Sequence, residues 1–210
     1  MIETIFNAVQ LIFTLISAGF AAYRAIRTQK HAWLLCSLAS GVYFLGDLYW
    51  QLYLVFYDCT PHYSYIPELG WRACCIFLLI LLTEVRGERE KPTRVKKVLF
   101  IIPVFTVGMS SYYALYDGIT TNLIIAVVMT LLLWNTIDCL IDIHRGKVEN
   151  PDCKWLCVAI LIYCASEYAA WTVSCEWQGD TLTNPYFLFE AMLALSFVLF
   201  LPAVEKAVKK

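Results

Sequence analysis

VLFIIPVFTVGMSSYYALYDGITTNLIIAVVMTLLLWNTIDCLIDIHR, residues 98–145, contains no Lys or Arg before its last residue. Two apolar runs meet in it at Asp117-Gly118, and each is close to the roughly 20 residues that an α-helix needs to cross a bilayer core. Six basic residues precede it, Arg86, Arg89, Lys91, Arg94, Lys96 and Lys97, and Arg145, Lys147 and Lys154 follow. The same alternation continues outward to Arg24, Arg27 and Lys30 on one side and to Lys206, Lys209 and Lys210 on the other. Of the 16 Lys and Arg residues only Arg72 lies elsewhere. Cytoplasmic loops carry the Lys/Arg excess, so all four clusters are expected inside and the N-terminus outside.

Composition agrees, with 60% hydrophobic residues and a mean hydropathy of +0.63. Backbone groups in hydrocarbon are satisfied only within helices or closed barrels, and long apolar runs without two-residue alternation select helices. The expected fold is therefore all-α: a polytopic membrane protein with seven spans at 3–25, 31–57, 66–86, 98–116, 121–145, 155–177 and 185–206. Seven crossings put the C-terminus inside. The first span lacks a charged leader and a small-residue cleavage site and reads as a retained helix. The expected location is a bacterial inner membrane, crossed many times.

The spans take up most of the chain and leave no room for a soluble catalytic domain. No nucleophile elbow, phosphate loop or glycine-rich nucleotide fingerprint occurs, so an enzyme is not expected and no cofactor is called for. His31 and His144 fall at the cytoplasmic boundary and His62 in an outer loop, which leaves no intramembrane histidine cluster for a metal. No span holds a Lys that could form a retinal Schiff base. A net charge of −1, basic inside and acidic outside at Asp58, Asp117, Glu176 and Asp180, implies lipid rather than nucleic acid as the large partner.

The chain also aligns with itself when shifted by roughly 120 residues, as a parallel repeat would. Ala8-Val9 then meets Ala126-Val127, Arg27 meets Arg145, Trp33-Leu34 meets Trp155-Leu156 and Cys36 meets Cys157. Asp47 meets Glu167, Trp50 meets Trp171, Cys59 meets Cys175, and Pro67-Glu68 falls near Pro185 and Glu190. The expected plan is 3+1+3: a first three-helix unit over 1–97, a linker helix over 98–120 and a second unit over 121–210.

Ionisable groups in hydrocarbon are costly and usually face a partner, the bundle interior or a water-filled cavity. Asp47 and Glu167 lie about ten residues from the outer ends of their spans, so at 1.5 Å per residue they share a layer about 15 Å deep. Glu68 and Arg72, one turn apart, and Glu190 lie higher in the same half. Helical spacing sets Tyr43, Trp50 and Gln51 beside Asp47, and Tyr163, Trp171 and Ser174 beside Glu167. Asn7, Gln10 and Thr14 form a polar stripe on the first span. One reading is an outward-facing pocket for a small polar or cationic ligand, bound by Asp47, Trp50, Glu68, Arg72, Glu167, Trp171 and Glu190. The other is interhelical hydrogen bonding alone, with Glu68 and Arg72 neutralising each other. Trp33, Trp155, Tyr57, Tyr116 and Trp177 read as interface anchors. Asn135, Asp138 and Asp142 share a face near His144 and read as a solvated helix end. Cys59 and Cys175 fall at matching outer positions, on the oxidising side, where a disulfide is possible if their Cα atoms approach within about 7 Å. The remaining cysteines read as small apolar packing residues.

The stretch GDLYWQLYLVFYDCTPHYSYIPELGWRACCIFLLILL, residues 46–82, resembles the seven-helix sensor modules at the front of some bacterial histidine kinases and diguanylate cyclases. Asp47, Trp50, Pro61, Ser64 and Glu68 carry the likeness. It implies a ligand-sensing membrane module, here without the signalling output domain, which a separate signalling protein would have to supply. Sugar and PQ-loop transporters share the 3+1+3 plan, though the defining Pro-Gln pair is missing. A small-solute or ion transporter using the same carboxylates, and a structural partner using them only for packing, stay open.

Overall fold

The computed structural model describes residues 1–57, 59, 61, 65–87, 96–116 and 118–209. Asp58, His62, Ser64, Arg89, Lys91, Arg94, Asp117 and Lys210 lie outside the described residues. The architecture is all-helical: α1 (Ile2–Thr28), α2 (His31–Tyr57), α3 (Tyr65–Arg86), α4 (Ile101–Tyr113), α5 (Ile119–His144), α6 (Lys154–Ser174) and α7 (Pro185–Ala207). Short 3-10 turns lead into α4 at Lys97–Phe100 and into α6 at Pro151–Cys153. Six of the helices, all but α4, are long and apolar enough to cross a membrane. Large apolar side chains face outward along them, among them Ile12 and Ile16 on α1, Leu45 and Val55 on α2, Leu123 and Val127 on α5 and Leu188 and Leu195 on α7. A surface that apolar has lipid, not water, as its natural solvent.

The helices close into a ring. α1 packs on α2, α2 on α3, α3 on α5, α5 on α6, α6 on α7, and α7 returns to α1, while α4 lies outside against α5. Exchanging α1, α2 and α3 for α5, α6 and α7 maps the six contacts of the ring onto one another. The diagonals α2 with α7 and α3 with α6 obey the same exchange. The fourth helix is shorter than its expected span of 98–116, and Pro103 sits in its first turn. With its 3-10 lead it rises about 28 Å, close to the ~30 Å of a hydrocarbon core. It runs antiparallel to α5 along its length: Lys96 Nζ donates to the Asp138 carbonyl at 3.0 Å, Thr106 and Thr130 share a 2.5 Å hydroxyl contact, and Ser110 Oγ donates to the Asn122 carbonyl at 2.6 Å.

Both ends are tied. At the basic end Arg24 pairs with Glu205, Lys30 donates to the Val208 carbonyl, and Asn150 Nδ2 donates to the carbonyls of Ala207 (2.7 Å) and Val85 (3.1 Å). At the opposite end Asp180 accepts from the Met1 amine at 2.6 Å and from the amides of Glu3 (2.7 Å) and Ile2 (3.1 Å), the bare first turn of α1. The amino-terminal ammonium and those two amides hold the Asp180 carboxyl below the usual carboxylate range. Between the ends, Leu78, Leu81, Leu82, Leu132, Leu156 and Ile160 are fully buried and fill the basic half.

Two expectations fail at the basic end. Asp138 and Asp142 do not form a solvated helix end: both are buried, and they make an ion cluster with Arg86 and Lys96. Arg86 Nη2 lies 2.7 Å from Asp142 and 3.6 Å from Asp138; Lys96 Nζ lies 2.5 Å and 2.6 Å from the same two carboxylates. Asn135 is not part of it and donates to the Leu131 carbonyl instead. Trp33 is not a lipid anchor either. It is fully buried with the Arg24 guanidinium 5.2 Å from its ring, whereas Trp155, Tyr57, Tyr116 and Trp177 are exposed as expected of interface residues.

Candidate functional site

Asp47 is set by a close helix crossing. A Cβ on Gly70 would lie 2.5 Å from the Val42 carbonyl, and one on Gly46 2.8 Å from the Pro67 carbonyl, so α2 and α3 touch backbone to backbone. That approach brings the Trp71 indole over α2, where its Nε1 donates to Asp47 Oδ1 at 2.8 Å. From α1, Gln10 Nε2 donates to Asp47 Oδ2 at 2.9 Å and reaches the Tyr43 hydroxyl at 3.3 Å. The carboxylate thus holds two neutral donors. Gln51, expected beside it, reaches toward the Thr4 carbonyl at 3.5 Å.

Glu167 occupies the facing wall on α6. Tyr43, Tyr163 and Trp171 surround it, and its Oε1 is buried with no hydrogen-bond partner among the described residues. Below the two acids, Tyr43 packs on Phe197 at 4.7 Å and on Tyr163 at 6.2 Å, and Tyr163 meets Phe197 at 5.8 Å. These rings floor the site and separate it from the leucine-filled half.

Above that floor lies a cavity of about 320 Å³. Asp47, Trp50, Glu68, Glu167, Trp171 and Glu190 all line it, so the structure brings together every residue expected in the pocket except Arg72. Arg72 is engaged by Glu68 one turn earlier, and the pair is largely buried. Asn7, Tyr43 and Ser174 also line the cavity. Neither Cys59 nor Cys175 is in a disulfide; Cys59 is exposed, and Cys175 borders the cavity.

Several lining residues had gone unrecognised: Trp71, Tyr113, Asn122 and Tyr186. Trp50, Trp71, Trp171 and Tyr113 form a continuous aromatic rail, with successive ring centroids 6.1, 6.4 and 6.0 Å apart. Tyr113, from α4, also donates to the Tyr168 carbonyl at 3.0 Å on α6. A smaller cavity of about 30 Å³, lined in part by Cys75, Ile125 and Met129, adjoins the first and shares Trp71, Tyr113, Glu167 and Trp171 with it.

The charge is one-sided. Glu68 has Arg72, but among the described residues no Lys or Arg pairs with Asp47, Glu167 or Glu190. Buried polar atoms without partners gather here too: Gln10 Oε1, Asn122 Oδ1, Glu167 Oε1 and Glu190 Oε2 are acceptors, and Asn7 Nδ2 is the one donor. Leaving such groups unmade costs about 1–3 kcal/mol each, more for charged ones. Among the described residues no group of three His, Cys, Asp or Glu side chains is arranged to hold a metal ion. The arrangement suits a donor-bearing cation among rings. No family model, curated protein or solved structure matches this chain.

Proposed function

We propose that this is a non-catalytic integral membrane protein that binds a small polar or cationic ligand in a pocket open to the outside. The observation that carries the reading is the presence of three carboxylates, from α2, α6 and α7, around one aromatic-walled cavity with no basic side chain among the described residues paired with them. In this reading α4 crosses the membrane as a seventh span, the basic end faces the cytoplasm, and helices 1–3 and 5–7 form two parallel repeats with the site between them. The exchange-symmetric packing and the antiparallel contacts along α4 and α5 support that plan. The likeness to sensor modules favours ligand sensing in a bacterial inner membrane, with the signal handed to a separate protein.

The symmetric ring also favours a second reading, a small-solute or ion transporter whose two units rock about the same carboxylates. Flux of a bound cation in reconstituted vesicles separates the two.

The test of binding is a thermal unfolding series on the detergent-purified chain with n-butylammonium, tetramethylammonium and, as control, butyrate. At a hundredfold excess over Kd a ligand stabilises by about 2.7 kcal/mol. Cations should raise the midpoint and butyrate should not, and the rise should shrink in Asp47→Asn and in Glu167→Gln protein and vanish when the two are combined. Equal response to cation and anion, or none to either, removes the proposal.

A further inference from the structure

The cavity walls are specific about how many positive charges they await and where. We propose that the ligand is a linear diammonium compound, an α,ω-diaminoalkane, with one ammonium between Glu190 and Asp47, the other at Glu167, and its methylenes along the tryptophan rail. This rests on the cation-binding reading above and narrows its ligand class.

Charge comes first. Buried ions are stable only when compensated, and a monocation would leave two of the three unpaired carboxylates without a counter-charge. Two ammonium groups leave one, which a single shared proton can neutralise.

Hydrogen-bond polarity agrees. An ammonium donates and never accepts. Of the five unpartnered polar atoms at the cavity, four are acceptors: Gln10 Oε1, Asn122 Oδ1, Glu167 Oε1 and Glu190 Oε2. The amide orientations are fixed by their other ends, because Gln10 Nε2 donates to Asp47 and Asn122 Nδ2 donates to the Gly118 carbonyl at 3.0 Å. Glu190 is 5% exposed, Gln10 6% and Asn122 1%, so these are buried acceptors turned to the cavity rather than surface groups.

Placement then separates the acceptors into two sets. Gln10 on α1 and Glu190 on α7 belong to one side of the ring, where those two helices pack together, and Asp47 lies within electrostatic range of both Glu190 and Glu167. Asn122 on α5 belongs to the other side, where α5 packs on α3, and Glu167 lines both the main cavity and its branch toward α5. Trp50, Trp71 and Trp171 line the same cavity as both sets. Aromatic faces suit a methylene chain and the ammonium groups at its ends.

The experiment is calorimetric titration of the purified full-length protein with a homologous series, 1,3-diaminopropane to 1,6-diaminohexane, each beside the n-alkylamine of the same carbon number. A hydrogen bond to a charged group contributes about 1.5–3 kcal/mol, so the best diamine should bind about tenfold or more tighter than its monoamine. Affinity should peak at one chain length. In Glu190→Gln protein the diamine should fall to the monoamine's affinity, while the monoamine loses less. The chain-length series needs no variant and stands even if Glu190→Gln fails to fold. Equal affinity of monoamine and diamine at every length overturns the diammonium proposal and leaves the cation site intact. Binding of no amine at all overturns both.

Discussion

Asp47 accepts from Gln10 and Trp71 and has no cation paired with it among the described residues, which makes it the most informative single side chain to change. Asp47→Asn keeps an acceptor for Trp71 and removes a charge that hydrocarbon penalises, so the unfolding midpoint should hold or rise while cation binding is weakened. Glu167→Gln should behave alike. Loss of stability with no effect on binding would mean that the acids serve packing only. The two acids were legible in the sequence because an ionisable residue stands out in an apolar run. Trp71 was not, although it touches Asp47: which face of α3 meets α2 depends on Gly46 and Gly70, and only the crossing reveals that those glycines are the contact. Gly70→Ala therefore belongs with this site. Its Cβ would press on the Val42 carbonyl, which cannot yield without moving α2, at a cost of about 1–3 kcal/mol. A thermal scan of the purified variant measures it, and weakened cation binding should accompany the loss because Trp71 shifts with α3.

At the level of elements, α3, α5 and the segment that leads into α4 are joined by the cluster of Arg86, Lys96, Asp138 and Asp142, which among the described residues sets two cations against two carboxylates. Removing one member strands a buried charge and costs about 3–5 kcal/mol, whereas removing an opposed pair keeps the balance. Arg86→Ala should thus destabilise more than Arg86→Met combined with Asp142→Leu, read as unfolding midpoints in detergent. A larger loss in the double variant would contradict the pairing. The sequence suggested a solvated end here because Asp138 and Asp142 stand close to His144 and Arg145 at the inner end of their helix, and burial of Arg86 and Lys96 depends on where α4 begins relative to α5. The boundaries of α2, α3 and α7 were legible to within a residue or so, since apolar runs and Pro67 and Pro185 mark them. That of α4 was not, because its expected span takes in the 3-10 lead through Phe100 and the turn at residues 114–116, which are as apolar as the helix between them. At the opposite end, Asp180 is held below the usual carboxylate range by donors on α1, so its contribution is present at neutral pH and lost as pH falls through that lowered value. The stability difference between wild type and Asp180→Asn should shrink toward zero on acidification.

Over the whole molecule, one half is filled by leucines and closed by ions, and the other is hollow and acidic. The gradient suits a protein that meets its ligand on one side of a membrane. Basic residues gather at the closed end, so a reporter fused after Lys97 should be active as a cytoplasmic fusion and one inserted near Thr183 as an external one. The all-helical, multi-span character was open to reading from hydropathy alone. The closure of six helices into a ring with α4 outside was not, because hydropathy fixes which segments cross but not which neighbour each one chooses.

Cys175 offers the most direct measurement, for it borders the cavity, and apart from the exposed Cys59 the other cysteines are buried. In Cys59→Ser protein, a membrane-impermeant maleimide applied to right-side-out vesicles should label Cys175, and saturating n-butylammonium should slow that labelling while butyrate does not. Labelling from the cytoplasmic side alone, or at a rate indifferent to the cation, would contradict an outward-facing cation site.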